Sequence, residues 1–245
     1  MQRIDLGVTA VHVLRTEQGY LLVDTGYAHD EKALQAGLRA IGINLHDVSH
    51  VLLTHHHDDH AGMVARLTTQ RPDLQVILHE RAVPLLAHGA NDLTHGGYWL
   101  NRRVRLLGSL KGVVEPGWSQ HRFPPYRVRP CDTTVSGDDD QVLRRLGIAG
   151  TVIALPGHTV DCIGIVLDDG NAFVGDAAAN FLRFAGTRHC VVFLTDLDQY
   201  YASWRRLIAA GARFIHPGHG SAFPVQNLER DLDANHKDRL IAYTR

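Results

Sequence analysis

The sequence predicts an α/β sandwich, two sheets packed together with helices outside. Three observations lead there. The chain of 245 residues is long enough for one large core and carries no low-complexity linker. Strand-like apolar runs alternate with helical spacing through two successive halves. Each half sets polar, ligand-type residues at its strand ends. Residues 1–245 are therefore expected to form a single domain.

Taken in order, 8–14 and 20–23 read as strands joined by the turn Glu17-Gln18-Gly19, and Asp24-Thr25-Gly26 closes the second. Over 31–41, Ala33, Leu34, Leu38 and Ile41 recur at helical spacing until Gly42 stops them. A short buried strand at 51–53 is followed by a helix over 61–67 and a strand over 74–78. From 80 to 112 the pattern turns helical, interrupted at Gly96-Gly97. This stretch is expected to be a helical cap inserted over the site. After Pro116 come strand-like pieces at 142–146, 152–155, 163–167 and 172–174, the last two joined by the hairpin turn Asp168-Asp169-Gly170-Asn171. A helix over 197–210, a strand at 214–215 and a final helix over 228–242 complete the chain.

Composition narrows the partners. Lys plus Arg (25) balances Asp plus Glu (26), so no overall field points to nucleic acid or an anionic membrane. Cys131, Cys162 and Cys190 form no C-x-x-C pair, which suits a reducing cytoplasm. The first residues lack a secretion pattern, and no apolar run approaches the ~20 residues that span a bilayer. The expectation is a cytoplasmic protein with a small-molecule substrate, no nucleic-acid or membrane partner, and a homodimer as the assembly to look for.

The chemistry concentrates after the apolar run Val51-Leu52-Leu53. Positions 55–60 hold four histidines and two aspartates in a row. Buried imidazoles and carboxylates cost several kcal/mol each unless paired, so this density at a strand end implies a bound cation. Nitrogen-rich ligands with carboxylate support favour zinc, with iron or manganese as alternatives. In an extended segment His55 and His57 share a face, and a turn into the following helix brings Asp59 and His60 to a second position. His56 and Asp58 then face away. Further ligand candidates follow other apolar strands beside glycine: His158 in Pro156-Gly157-His158-Thr159, Asp176 after Gly175, and His219 between Gly218 and Gly220. Five histidines and two aspartates suit two ions. One takes three histidines, the other two histidines and Asp59, and Asp176 bridges them.

Asp24-Thr25-Gly26, Thr54-His55-x-His57-x-Asp59-His60-Ala61-Gly62, Pro156-Gly157-His158-Thr159, Gly175-Asp176 and Gly218-His219-Gly220 resemble, in order and spacing, the motifs of the metallo-β-lactamase superfamily across about 8–222. The resemblance implies an αββα four-layer sandwich with a dinuclear, usually zinc, site at one edge. It assigns His55, His57 and His158 to one metal and Asp59, His60 and His219 to the other, with Asp176 between. Asp24 would be a buried support of the metal edge without being a ligand. The other histidines read as solvated or satisfied, with His95 in the cap kept under watch, and Cys162 reads as a small core residue.

Two cations sharing a water lower its pKa from near 16 to roughly 7, giving hydroxide at neutral pH. Asp59 is the expected catalytic carboxylate, orienting that water and passing a proton to the leaving group. No G-x-S-x-G elbow or phosphate-binding loop offers another route. The expected function is metal-dependent hydrolysis by a metal-bridging hydroxide, with a carboxylic ester, lactone or thioester of a small molecule as substrate. An iron-dependent dioxygenase of the persulfide type is the alternative, with phosphodiesterase or β-lactamase-like hydrolysis behind it. Lactonases of the family commonly place tyrosine three residues after the bridging aspartate, where this chain has Ala179. Glyoxalase-type relatives append a longer helical region than the 26 residues that follow His219. Tyr98, Trp99 and Phe181 read as helix-core packing or as an apolar substrate wall. The basic residues Arg102, Arg103, Arg105 and Lys111 read as an exposed helix face, with anionic-substrate contact as the alternative.

Overall fold

Period-two alternation of apolar side chains is what splits this molecule into layers. The computed structural model describes residues 1–92, 97–114, 121–234, 237 and 239–242. Its first half contains β1 (Gln2–Asp5), β2 (Ala10–Thr16), β3 (Gly19–Val23), α1 (Glu31–Ala40), β4 (Val48–Leu52), α2 (Asp58–Ala61), α3 (Val64–Gln70), β5 (Gln75–His79) and α4 (Ala82–His88). Then come β6 (Tyr98–Trp99), α5 (Arg102–Val114) and β7 (Thr133–Val135). The second half holds β8 (Gly150–Ala154), β9 (Ile163–Leu167), β10 (Asn171–Gly175), β11 (Phe193–Leu194), α6 (Leu197–Ala209), β12 (Phe214–Pro217), β13 (Phe223–Pro224), α7 (Gln226–Ala234) and β14 (Ile241–Ala242).

One sheet runs β1-β2-β3-β4-β5-β7 and the other β13-β12-β10-β9-β8. Along β3, Leu21 and Val23 enter the apolar layer between the sheets, while Leu22 faces the helices with Val51 of β4. Along β10, Phe173 enters the same inter-sheet layer, and Ala172 and Val174 face Tyr200, Trp204 and Leu207 of α6. Three apolar layers therefore separate helix, sheet, sheet and helix, the αββα order. The parallel pairs β3–β4, β4–β5 and β10–β12 send the ends that follow β3, β4, β10 and β12 to one rim. Crevices beyond the carboxyl ends of parallel strands are where α/β folds bind ligands.

Several expectations need correction. Residues 142–146 form no strand: Arg144–Leu146 is a 3₁₀ turn closed by Gly147 at φ 76°, and Val142 and Leu143 are buried between the sheets. Asp139 Oδ1 accepts from the Gln141 and Val142 N–H groups, and this local capping outweighs the strand pattern. The helix expected over 61–67 comes as two pieces, α2 and α3. The final helix stops at Ala234, and Ile241–Ala242 instead pairs antiparallel with Tyr98–Trp99. The first strand begins two residues later than expected and is preceded by β1, its antiparallel neighbour. Within 80–112 the structure alternates α4, the β6 pair and α5, so the stretch is not uniformly helical. His95, Gly96, Pro116 and His236 lie outside the described residues. Among the described residues no helix is long and apolar enough to cross a membrane.

Candidate metal centre

The rim is organised by Asp24. It follows β3 in the left-handed region, at φ 67°, an uncommon conformation for a residue with a Cβ. Its N–H donates to the Leu52 carbonyl at 2.8 Å, which keeps the turn registered on β4. Oδ1 accepts from the Thr54 N–H at 2.7 Å, and Oδ2 accepts from His60 Nδ1 at 2.8 Å. Thr25 adds two bonds to the His60 carbonyl, from its N–H at 2.7 Å and its hydroxyl at 2.8 Å. The Asp24-Thr25-Gly26 turn thus holds both ends of the 54–60 segment. Gly218 lets the backbone close over it: a Cβ there would come within 2.5 Å of His60 Cε1.

Four imidazoles have their outer nitrogen tied down. His55 Nδ1 bonds Thr54 Oγ1 at 3.1 Å, and that hydroxyl in turn donates to Asp24. His60 Nδ1 donates to Asp24, His158 Nδ1 to the Phe193 carbonyl at 2.8 Å, and His219 Nδ1 to the Val8 carbonyl at 2.8 Å. Each bond fixes a tautomer and turns the Nε2 lone pair inward, the usual arrangement behind metal-ligating histidines. His57 presents Nδ1 instead, 3.0 Å from His158 Nε2, which lies 3.2 Å from His55 Nε2.

Asp176 stands between two groups of nitrogen atoms. Oδ2 is 3.4 Å from His158 Nε2, and Oδ1 is 3.3 Å from both His60 Nε2 and His219 Nε2. Asp59 Oδ2 lies 3.2 Å from His219 Nε2 and 3.7 Å from His60 Nε2. Within 4.8 Å, donor atoms gather in three sets: His55, His57 and His158; His55, His60 and Asp176; and Asp59, His60 and His219. All seven residues named from the sequence converge.

The donor set fits divalent metal. His60 Nε2 and Asp176 Oδ1 face into the cluster and are buried without a hydrogen-bond partner, a costly state for polar atoms unless something else engages them. Burial, reinforced by neighbouring imidazoles, pushes His55 and His57 well below the usual histidine range, so both are neutral donors. Burial opposes charge on His60 and His219 too. The carboxylates nevertheless hold His60 well above its ordinary value and His219 up to about 10. Burial likewise works against ionised Asp59 and Asp176, yet the same two histidines hold both below the usual carboxylate range. Without metal, protons on His60 and His219 thus supply the positive charge these carboxylates require.

His56 and Asp58 point elsewhere, as expected, but neither is idle. His56 Nδ1 is 2.9 Å from Asp161 Oδ1, Asp161 Oδ2 accepts the His56 N–H at 2.9 Å, and His56 Nε2 accepts the Asp92 N–H at 3.1 Å. Asp58 exchanges two 2.8 Å bonds with Asn91. Asp161 escaped the sequence reading. Its only signal is a carboxylate three residues after His158, in a segment otherwise without charge.

Beside the cluster lies a cavity of about 340 Å³, whose polar end carries His57, Asp59, Asp176 and His219. Its apolar walls come from β6 and α5 on one side (Trp99, Val104, Leu107) and from Phe181, Leu182 and 191–193 on the other. Tyr98, read from sequence as a wall candidate, is not among the lining residues; Trp99 and Phe181 are. Cys162 packs in the core behind α6, as expected.

A metallo-β-lactamase superfamily model matches residues 4–219. Among curated proteins, the chain is 26% identical over 218 residues to the probable metallo-hydrolase YqjP of Bacillus subtilis, covering 85% of this chain and 65% of that protein. It is 25% identical to an atrochrysone carboxyl ACP thioesterase of Aspergillus fumigatus, covering 94% of this chain and 56% of the relative. The chain thus spans between about half and two-thirds of the length of these relatives. Among solved structures, the metallo-beta-lactamase family protein TTHA1429 from Thermus thermophilus aligns at TM-score 0.66 and 23% identity, over 96% of this chain and 78% of that one. The B3 enzyme BJP-1 of Bradyrhizobium japonicum aligns at TM-score 0.59 and 20% identity, over 95% and 89%. A family match across most of the length, joined to the same layered fold and the His/Asp rim, places this chain in the metallo-β-lactamase superfamily.

Proposed function

We propose that this protein is a metal-dependent hydrolase that holds two divalent cations, zinc before iron or manganese, and cleaves an acyl thioester. The observation that carries the reading is the convergence of seven donor residues, with buried unsatisfied atoms, at the polar end of an apolar cavity. His55, His57 and His158 would hold one ion and Asp59, His60 and His219 the other, with Asp176 shared. Such ions, when bound, polarise a carbonyl and acidify water. The chain's own residues supply the rest. Asp59 lines the cavity, and its carboxylate would accept a proton from water and deliver it to the departing thiolate. Asp24 and Thr54 hold His55 and His60 in one tautomer, and Trp99, Val104 and Leu107 keep bulk water from the acyl group.

Thioesters are favoured over oxygen esters and lactones by two supports: the apolar wall suits an acyl chain, and curated relatives bear thioesterase names. Turnover of acyl thioesters, aryl esters and lactones by zinc-loaded and iron-loaded protein tests the reading. Thioester hydrolysis should dominate with zinc, vanish on chelation and return on adding zinc. His57→Ala should bind less metal and lose at least about a hundredfold in kcat. Protein purified with one iron and no zinc, active only with oxygen, would replace this reading with the dioxygenase.

A further inference from the structure

The outer face of the cap carries a charge pattern that folding does not explain. Arg102, Arg103 and Arg105 crowd the first turn of α5, where the helix dipole disfavours cations and no acidic residue compensates. Arg183 and Arg188 project from the facing loop, and with Arg103, Phe184 and Gly186 they line a surface groove. Among the described residues, none of these five arginines is paired with a carboxylate. Between and beside them sit side chains that water should not favour. Phe184 is 75% exposed, and Leu106 and Leu110, one turn apart on α5, are 61% and 55% exposed. Unpaired arginines around exposed apolar side chains suit an acidic protein partner better than bare solvent.

This face and the cavity share their walls. On α5, Arg103 lines the groove while Val104, Leu107 and Gly108 line the cavity. On the facing loop, Phe181 and Leu182 line the cavity, and Arg183 and Phe184 line the groove. Asn101 locks the two walls together. Its Oδ1 accepts the Arg103 and Val104 N–H groups at 2.9 and 3.0 Å, and its Nδ2 donates to the Ala185 carbonyl at 3.1 Å. A partner seated on the groove would therefore stand beside the walls that enclose the acyl group.

Resting on the thioesterase reading, we propose that the substrate arrives on an acidic acyl carrier protein, which docks on Arg103, Arg183, Arg188 and Phe184. Its phosphopantetheine arm then reaches into the cavity, with the acyl chain against Trp99 and Leu107. In the reaction a water oxygen bonds to the acyl carbon, the C–S bond breaks, and the arm's sulfur takes the proton. The products are a free acid and the carrier thiol.

The test compares zinc-loaded wild type with an Arg183→Glu/Arg188→Glu variant on octanoyl-acyl carrier protein, octanoyl-CoA and octanoyl-pantetheine, which lacks phosphate. The variant should lose about tenfold or more in kcat/KM on the carrier substrate, mainly through KM, and keep its rate on octanoyl-pantetheine. Wild-type turnover of the carrier substrate should fall steeply with salt. An equal loss on octanoyl-CoA would reduce the face to a site for small phosphates and overturn the carrier assignment, as would no loss at all. Anisotropy of labelled holo-carrier, read without turnover, separates the two claims. If no thioester is hydrolysed yet arginine-dependent binding persists, the function falls and the docking face stands. Binding of wild type to anionic vesicles but not to carrier would make the face a membrane contact instead.

Discussion

His56 shows how much a single residue can conceal. The density of the 55–60 cluster made His55, His57, Asp59 and His60 legible, and only jointly with that cluster could His158, Asp176 and His219, each beside glycine at a strand end, be named. His56 could be recognised as facing away because strand side chains alternate. Its partner could not, because Asp161 lies 105 positions along the chain and only the packing of the two halves brings them together. Both side chains are fully buried. His56→Ala therefore leaves the Asp161 carboxylate without its main partner, a change that costs about 3–5 kcal/mol in buried pairs. At about 2–4 °C per kcal/mol for a chain of this size, the melting temperature should fall by roughly 6–20 °C. Metal stoichiometry in the folded fraction should stay at the wild-type value. Calorimetry and metal analysis on the same preparation check both halves of that statement, and metal loss without destabilisation would contradict it.

At the scale of elements, long amphipathic pieces were legible and two-residue strands were not. Helices α1 and α6 were read almost to their ends because each carries several turns of helical period. The pairs β6, β11 and β14 have too few residues to show a period, and they exist because Tyr98–Trp99 offers both edges to other segments. Strand β2 was legible as apolar, but the consequence of its histidine was not. His12 lies under β12, donating through Nε2 to the Pro217 carbonyl at 3.2 Å, and burial lowers its pKa to about 4. The unfolded chain binds this proton near pH 6.5, the folded one only near 4. The strand therefore contributes full stability above about 6.5 and loses it as pH falls toward 4. Between pH 7 and pH 5 the loss from this group should be about 2 kcal/mol. Urea unfolding of metal-free wild type and His12→Gln at both pH values tests the sign. The variant's stability should depend less on pH, and equal slopes would remove His12 from the account.

For the whole molecule, two successive halves, each with strands, then a helix, and ligand-type residues at its strand ends, were enough to expect two packed sheets. How the halves share one rim was not evident from that plan. It follows from which strands run parallel, a property of pairing that no local pattern records. The first half contributes His55, His57, Asp59 and His60, and the second contributes His158, Asp176 and His219, so any ion held there ties one half to the other. The metal-free rim instead leaves buried lone pairs facing each other, His158 Nε2 lying 3.0 Å from His57 Nδ1. Binding to the folded rim alone should therefore stabilise the entire sandwich by mass action, about 4 kcal/mol at free metal a thousandfold above its dissociation constant. At about 2–4 °C per kcal/mol this raises the melting temperature by roughly 8–16 °C. Scanning calorimetry of chelated and zinc-reloaded protein should show one transition in each state, moved as a unit. Two separated transitions after chelation, with only one responding to zinc, would mean that the halves fold independently and that the rim does not join them.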